Sequence, residues 1–325
     1  MGFSYSLYGL RLSSNVPIPG LLAVQSETPV DVDITFGGFG SELTFEQHPW
    51  YVSPCLDENS PILTVWKSTD GSEFRFLYGD QTEFRIDRTG TNVSATWPES
   101  LSLENTVTYL VGQIAAFVLR LRGIVCLHAS SIVIDRRVLT IVGESGAGKS
   151  TMAASLVRQG HRVLSEDVSA LVERDGKFMV QPGYPRVNLW PDVVNSLHGA
   201  PDALPKIVPT WDKRYFDLGE NGGHFFNQPA PLAAIYVLEN RVSEQTASLV
   251  ESVSASDALI SLLTNAHGRH LVERPMRTRE FDLLSRIAEV IPVRRVVPRS
   301  DLARLDELCE KILHDFRLSP TIYPV

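Results

Sequence analysis

Cysteine is scarce in this chain and badly spaced. Only Cys55, Cys126 and Cys309 occur in 325 residues. So few and so distant thiols offer neither a disulfide framework nor a metal-binding spacing, and they predict a reducing compartment. A basic excess is also missing: 30 Lys and Arg stand against 38 Asp and Glu, a net charge of −8. A nonspecific nucleic-acid binder needs a basic face, so no nucleic-acid partner is expected. Long apolar runs are absent too. The longest, residues 109–119, contains Gln113 and is followed by Arg120 and Arg122, and it falls short of the about 20 residues that span a membrane. The N-terminal MGFSYSLYG has no positive n-region and no apolar core, so no signal peptide is expected. Its match to the loose myristoylation pattern, Gly2 with Ser6, is read as chance. Together these absences predict a cytoplasmic protein with no membrane association.

What remains is ample for a core. At 43% hydrophobic residues the chain has room for one large or two ordinary domains. Residues 1–100 read as a β-rich N-terminal domain, either a small antiparallel domain or a sheet extension. YSLYGLRLSS, DVDITFGG, ILTVWKS, EFRFLYG, EFRIDRTG and NVSATW are short alternating runs, punctuated by turn signals such as Thr69-Asp70-Gly71. Residues 101–122 read as a connecting helix, with Val107, Leu110, Val111, Ile114, Phe117, Val118 and Leu121 at helical spacing. Residues 123–325 read as an α/β domain around a mainly buried sheet. Its strands are IVCLHASSIVI, RRVLTIVG, HRVLSED, LAAIYVL and a run near 292–297. Its helices are 149–159, 256–267, 278–290 and a last one capped by Ser300.

Between the second of these strands and its helix lies IVGESGAGKST, residues 141–151. Gly143 to Ser150 matches G-x-x-x-x-G-K-[ST] in full, in the strand-loop-helix context that the motif needs. The glycines let backbone N–H groups approach phosphate oxygens, and the following helix directs its positive end at the same anion. Gly143, Ser145, Gly146, Ala147, Gly148, Lys149, Ser150 and Thr151 are therefore the expected binding residues for ATP. Lys149 would reach the β- and γ-phosphates, and the Ser150 hydroxyl would bind Mg²⁺. A carboxylate must complete that metal site, and Glu166 and Asp167 close the next strand. One acid would hold the metal, with Asp167 the first choice beside Ser150, and the other would take a proton from an attacking hydroxyl. On spacing alone His128 reads first as a hydrogen-bonded core histidine, and second as a group tuning a neighbouring carboxylate.

Leu127-His128, the loop 143–150, Gly160-His161-Arg162 and Glu166-Asp167 fall in an order that resembles the catalytic domain of bacterial HPr kinase/phosphorylase. The likeness is closer to the smaller HPr-kinase-like enzymes of ribosomal peptide clusters, including the lasso-peptide precursor kinases, and is densest over residues 126–172. The resemblance implies an α/β P-loop kinase domain of the HPr kinase and phosphoenolpyruvate carboxykinase type. It implies phosphoryl transfer from ATP to a serine-type hydroxyl, with His128, Glu166 and Asp167 catalytic beside Lys149, whose role at the phosphates the loop motif already gives. It implies a peptide or small-protein substrate. HPr kinases form hexamers, so a homo-oligomer comes with the resemblance, although nothing in the sequence fixes assembly.

The sequence departs from the family in two places. Glu166 stands where the family has its first aspartate. The downstream arginine-glycine-rich signature is replaced by QPGYPRVNLWPDVV, residues 181–194, which looks like the peptide-cluster relatives. HPr and the reverse phosphorolysis are therefore not the expected substrate and reaction. Lys213-Arg214 matches a basic pair of those small enzymes, and Arg214 is the expected contact to the transferring phosphoryl group. Trp190 reads as core or interface packing. The turn 221–224 reads as a plain connection or part of a lid, and Arg269, Arg274, Arg277 and Arg279 as a solvated helix start. Two other functions compete: a kinase of a free small hydroxy compound, and a nucleotide-dependent switch or ATPase that is no kinase. A β-rich domain is more than a small-molecule kinase needs, which favours a macromolecular acceptor.

Overall fold

A computed structural model describes residues 2–25, 28–40, 42–54, 56–57, 60–219, 223–240, 249–298 and 304–319. The chain divides into two compact units. The first is Met1–Gly123 with His270–Val272, and the second is Ile124–Arg269 with Glu273–Val325.

The first unit contains strands β1 (Phe3–Leu7), β2 (Leu10–Ser14), β3 (Val32–Phe36), β4 (Tyr51–Val52), β5 (Leu56–Asp57), β6 (Ser60–Pro61), β7 (Leu63–Lys67), β8 (Glu73–Tyr78), β9 (Glu83–Asp87) and β10 (Asn92–Thr96). β5 and β6 pair with each other, and the other eight form one sheet in the order β1-β2-β3-β10-β9-β8-β7-β4. The single run expected at YSLYGLRLSS is a hairpin, because Tyr8 and Gly9 sit at φ 53° and 81° and turn β1 back on β2. The sheet is mixed, which corrects the antiparallel expectation: β3 lies parallel to both β2 and β10. A long connection separates β2 from β3, so β3 enters the sheet in the same direction as β2 where a tight turn would have reversed it. The expected helix is α1 (Leu103–Tyr109) and α2 (Ala115–Leu121), joined through a π turn at Leu110–Ile114. It belongs to this unit. Its apolar stripe buries Val107, Leu110, Ile114 and Phe117, with the Phe117 ring 4.9 Å from both Phe74 and Phe76 of β8.

The second unit contains β11 (Val125–Ile134), β12 (Arg137–Gly143), α3 (Lys149–Arg158), β13 (Arg162–Ser165), β14 (Val168–Arg174), β15 (Lys177–Val180), β16 (Arg186–Leu189), α4 (Pro191–His198), β17 (Arg214–Asp217), β18 (Ala230–Leu238), β19 (Leu249–Ser252), α5 (Ala255–Thr264), α6 (Arg274–Val290), β20 (Val293–Val297) and α7 (Leu305–Leu318). The main sheet runs β12-β11-β14-β15-β18-β20-β19, with β13 on β11 and a parallel pairing of β12 with β18. Side chains alternate across β18. Ile235 and Val237 pack with α5 and α6, whereas Tyr236 and Leu238 pack with α3 and α7. Helices thus cover both faces, which is why β18 reads as an unbroken apolar run. The fold is mixed α/β. Ser300, the expected cap of the last helix, lies outside the described residues, as do Cys55, Asn221 and Gly222.

Two features of this sheet position the site. β12 delivers the glycine-rich loop to the mouth of α3. β13 and β14 both run antiparallel to β11, interrupted between them by Glu166 and Asp167. That interruption lies opposite His128, whose register partner is Val168.

Candidate active site

The loop is built tightly against the sheet. Gly143 has φ +154°, and a Cβ there would lie 2.7 Å from the carbonyl oxygen of Leu238, its register partner on β18. Only glycine fits. Gly148, at φ 110°, caps α3 and turns the chain into the helix. Glu144, Ser145 and Gly146 form the exposed tip, Ala147 is half-buried and Thr151 is buried. Lys149 is buried and folds back under the tip. Its Nζ donates to the carbonyls of Gly143 at 2.8 Å and Glu144 at 3.0 Å. Burial lowers its pKa, and the charges of Asp167 and Glu166 oppose that.

Sixteen residues after the loop serine, the chain supplies its acids. Ser150 Oγ donates to Glu166 Oε1 at 2.5 Å. Glu166 is buried, and burial, followed by the charge of Asp167, pushes its carboxyl above the usual range. Asp167 has a different setting. It occupies the left-handed region at φ 66°, and the Val168 N–H donates to the Glu166 carbonyl at 2.8 Å, closing a three-residue turn around it. A non-glycine residue held in such a turn stores strain of about 1–3 kcal/mol, and the direction of its side chain is what that strain maintains. The Asp167 side chain keeps 46% of its surface open. Enclosure by neighbouring atoms is the largest single influence on it and pushes its pKa up. The hydrogen bond from His128 and the charges of His267, His128 and Lys213 outweigh this and hold it well below the usual carboxylate range.

Two histidines flank this carboxylate. His128 Nε2 lies 3.3 Å from Oδ1, and His267 Nε2 lies 4.0 Å from Oδ2. The segment after α5 returns along β11. The His128 N–H donates to the Asn265 carbonyl and the His267 N–H to the Cys126 carbonyl, both at 2.8 Å. The two imidazoles meet edge to face with centroids 5.7 Å apart.

The basic pair divides. Arg214 heads β17 and donates through Nη1 to the Asp212 carbonyl at 2.5 Å. Lys213 is the member whose charge is felt by Glu166, Asp167 and Lys149. Its Nζ also sits 5.0 Å from the Trp190 ring centroid, and Trp190, expected to be packed, is 54% exposed. Trp190 is the N-cap residue of α4. Arg269, Arg274, Arg277 and Arg279 are exposed at the start of α6.

The structure thus brings two further residues beside the acids: Lys213, named in the sequence only as the partner of Arg214, and His267, not singled out there at all. Lys213 had a signal, adjacency to Arg214. His267 had none, since it is separated from the motif by most of the unit and stands in an arginine-rich connection. Among the described residues no group of three or more His, Cys, Asp or Glu could hold a metal ion alone. The hydroxyl and carboxylate of Ser150 and Glu166 are hard oxygen donors of the kind Mg²⁺ takes, one or two protein ligands with phosphate and water completing the shell. Among the described residues no helix is long and apolar enough to cross a membrane.

No family model matches the chain. Three curated proteins named HPr kinase/phosphorylase do, two from strains of Limosilactobacillus reuteri and one from Latilactobacillus sakei. Those of Limosilactobacillus reuteri are each 29% identical over 147 residues, covering 45% of this chain and 42% of the relative. That of Latilactobacillus sakei subsp. sakei is 26% identical over 142 residues, covering 44% and 41%. Over that stretch the chain is similar to HPr kinase/phosphorylases. The match spans about two fifths of the length of each relative. Among solved structures, the HPr(Ser) kinase/phosphatase from Coxiella burnetii matches with a TM-score of 0.32 and 15% identity, over 59% of this chain and 96% of that one.

Proposed function

We propose that this chain is a Mg²⁺-dependent kinase that transfers the γ-phosphoryl group of ATP to a serine-type hydroxyl on a peptide or small protein. A ribosomal precursor peptide of the lasso type is the acceptor that the sequence favours over HPr. The observation that carries the reading is the division of labour between adjacent acids: Glu166 faces the loop serine, and Asp167 faces outward between two histidines.

The triphosphate lies on the backbone N–H groups of residues 143–150 and the N-terminus of α3. Lys149, now held by loop carbonyls, turns to the phosphates. Ser150 and Glu166 would hold Mg²⁺, which would neutralise charge on the phosphates. This assignment moves the metal carboxylate from Asp167, the first choice on sequence grounds, to Glu166. A buried acid whose ionisation is costly gains most from a bound cation. Asp167 accepts the hydrogen bond of the acceptor hydroxyl and takes its proton. The serine oxygen forms the new bond to phosphorus as the bond to the ADP oxygen breaks. A loose transition state asks little of the base, so a low carboxylate that orients the nucleophile suffices. Lys213, with Arg214 beside it, offers positive charge to the transferring group.

The test is mass spectrometry of candidate acceptors incubated with the protein, ATP and Mg²⁺, with Lys149→Ala as control. The panel is seryl precursor-type peptides, HPr and free serine. Phosphate on a peptide, absent with Lys149→Ala, supports the reading. Phosphate on free serine alone makes this a small-molecule kinase. ATP hydrolysis with no acceptor modified makes it a nucleotide-dependent switch.

A further inference from the structure

We propose that His267 is a positioning residue for phosphoryl transfer, fixing with His128 the plane of the Asp167 carboxylate so that one oxygen faces the acceptor hydroxyl. This rests on the kinase reading above.

The terminal torsion of an aspartate is broad and two-fold, so nothing intrinsic fixes the carboxylate plane. The left-handed backbone of Asp167 aims its Cβ but leaves that torsion free. His128 restrains one oxygen, Oδ1, at 3.3 Å. A single donor still permits rotation about its own contact. His267 stands on the other oxygen, with Nε2 4.0 Å from Oδ2. That distance is beyond a direct hydrogen bond and within reach of one through a bridging water or a small closure. Two donors on opposite oxygens define the plane of the group.

His267 is also placed as a fixed reference. Its side chain is only 10% exposed, against 35% for His128. Its backbone is tied to the floor of the site: Cys126 and His128 on β11 exchange hydrogen bonds with His267 and Asn265, around the bridge between Leu127 and Ala266. The edge-to-face contact with His128, centroids 5.7 Å apart, packs the two rings against each other. Precise orientation of a nucleophile is where much of the rate of such an enzyme originates, and displacements near 1 Å are costly.

The experiment compares wild type, His267→Leu and His267→Gln. Leucine keeps bulk without a donor, whereas the glutamine amide reaches as far as Nε2. Each is assayed for steady-state transfer to the acceptor panel above, for ATP affinity and for thermal stability. The expected result is a kcat lowered about 10- to 100-fold in His267→Leu, with ATP affinity and the KM for ATP unchanged and most of kcat restored in His267→Gln. Three results overturn the proposal: a wild-type kcat in His267→Leu, equal losses in both variants, or a loss confined to ATP binding. Equal losses mean that the ring serves packing alone. If wild type modifies no acceptor, the kinase reading itself falls and takes this inference with it, before any variant is compared.

Discussion

Replacing Gly143 with alanine probes how closely the loop is built on the sheet. The new Cβ would meet the Leu238 carbonyl oxygen at 2.7 Å, with the Leu238 and Ala147 Cβ atoms at 3.1 and 3.3 Å. Leu238 cannot retreat, because β18 is held by β12 on one side and β20 on the other. The loop must move instead. Gly146 is the matched control. It also has positive φ, +85°, but a Cβ there meets nothing within 4 Å. Both substitutions put an L-residue at a positive φ that side chains rarely adopt, at a cost of about 1–3 kcal/mol each. Only Gly143→Ala adds overpacking, about 1–3 kcal/mol. At about 2–4 °C per kcal/mol for a unit of this size, Gly143→Ala should melt roughly 2–12 °C below Gly146→Ala. Differential scanning calorimetry without nucleotide measures this. Equal melting temperatures would refute the claim that the loop is wedged against β18.

Glu166→Gln and Asp167→Asn should each lower transfer by about 10²–10³, but only Glu166→Gln should abolish the Mg²⁺ dependence of ATP affinity in a calorimetric titration. If Asp167→Asn does so instead, the metal and base roles are the reverse of those proposed. Lys149→Ala should remove most transfer while the protein still melts cooperatively, since its partners are two loop carbonyls and not the core. Burial pushes the Cys309 thiol up to about 12. The stability this confers is fully present below the ordinary thiol value and is lost as pH rises through about 12. Near neutral pH, Cys309 should therefore resist a disulfide reagent until urea unfolds the protein, as read by peptide mapping.

The parts of this molecule that were legible in the sequence are those with short-range causes. A loop that needs glycine where β12 meets α3 writes itself as Gly143 and Gly148, and the unbroken apolar run of β18 records two covered faces. The acids at 166–167 were legible because they directly follow the short apolar run of β13, although Glu166 is itself buried. What could not be read depends on distant chain segments. No local pattern places β3 between β2 and β10, since parallel insertion is decided by how a long connection travels. The π turn at Leu110–Ile114 leaves the apolar spacing of the helix nearly intact, so periodicity misses it. His267 reaches Asp167 only because the chain after α5 returns along β11, and a histidine beside glycine carries no mark of that return.

The parallel pairing of β12 with β18 also bears on the order in which the protein is made. β12 pairs with the adjacent β11 as a hairpin, but its second neighbour exists only once Leu232–Leu238 has been synthesised, and β18 in turn takes β20 on its other side. Closing loops of that length is slow, because chain entropy must be lost before the contacts that offset it form. The pairings of β7 through β10, by contrast, join strands adjacent along the chain. On the ribosome the meander can form early, while the glycine-rich loop gains its packing against β18 only after most of the chain has emerged. A nascent or truncated product that ends before β18 therefore lacks the strand against which Gly143 is wedged, and the fully formed loop arrives late.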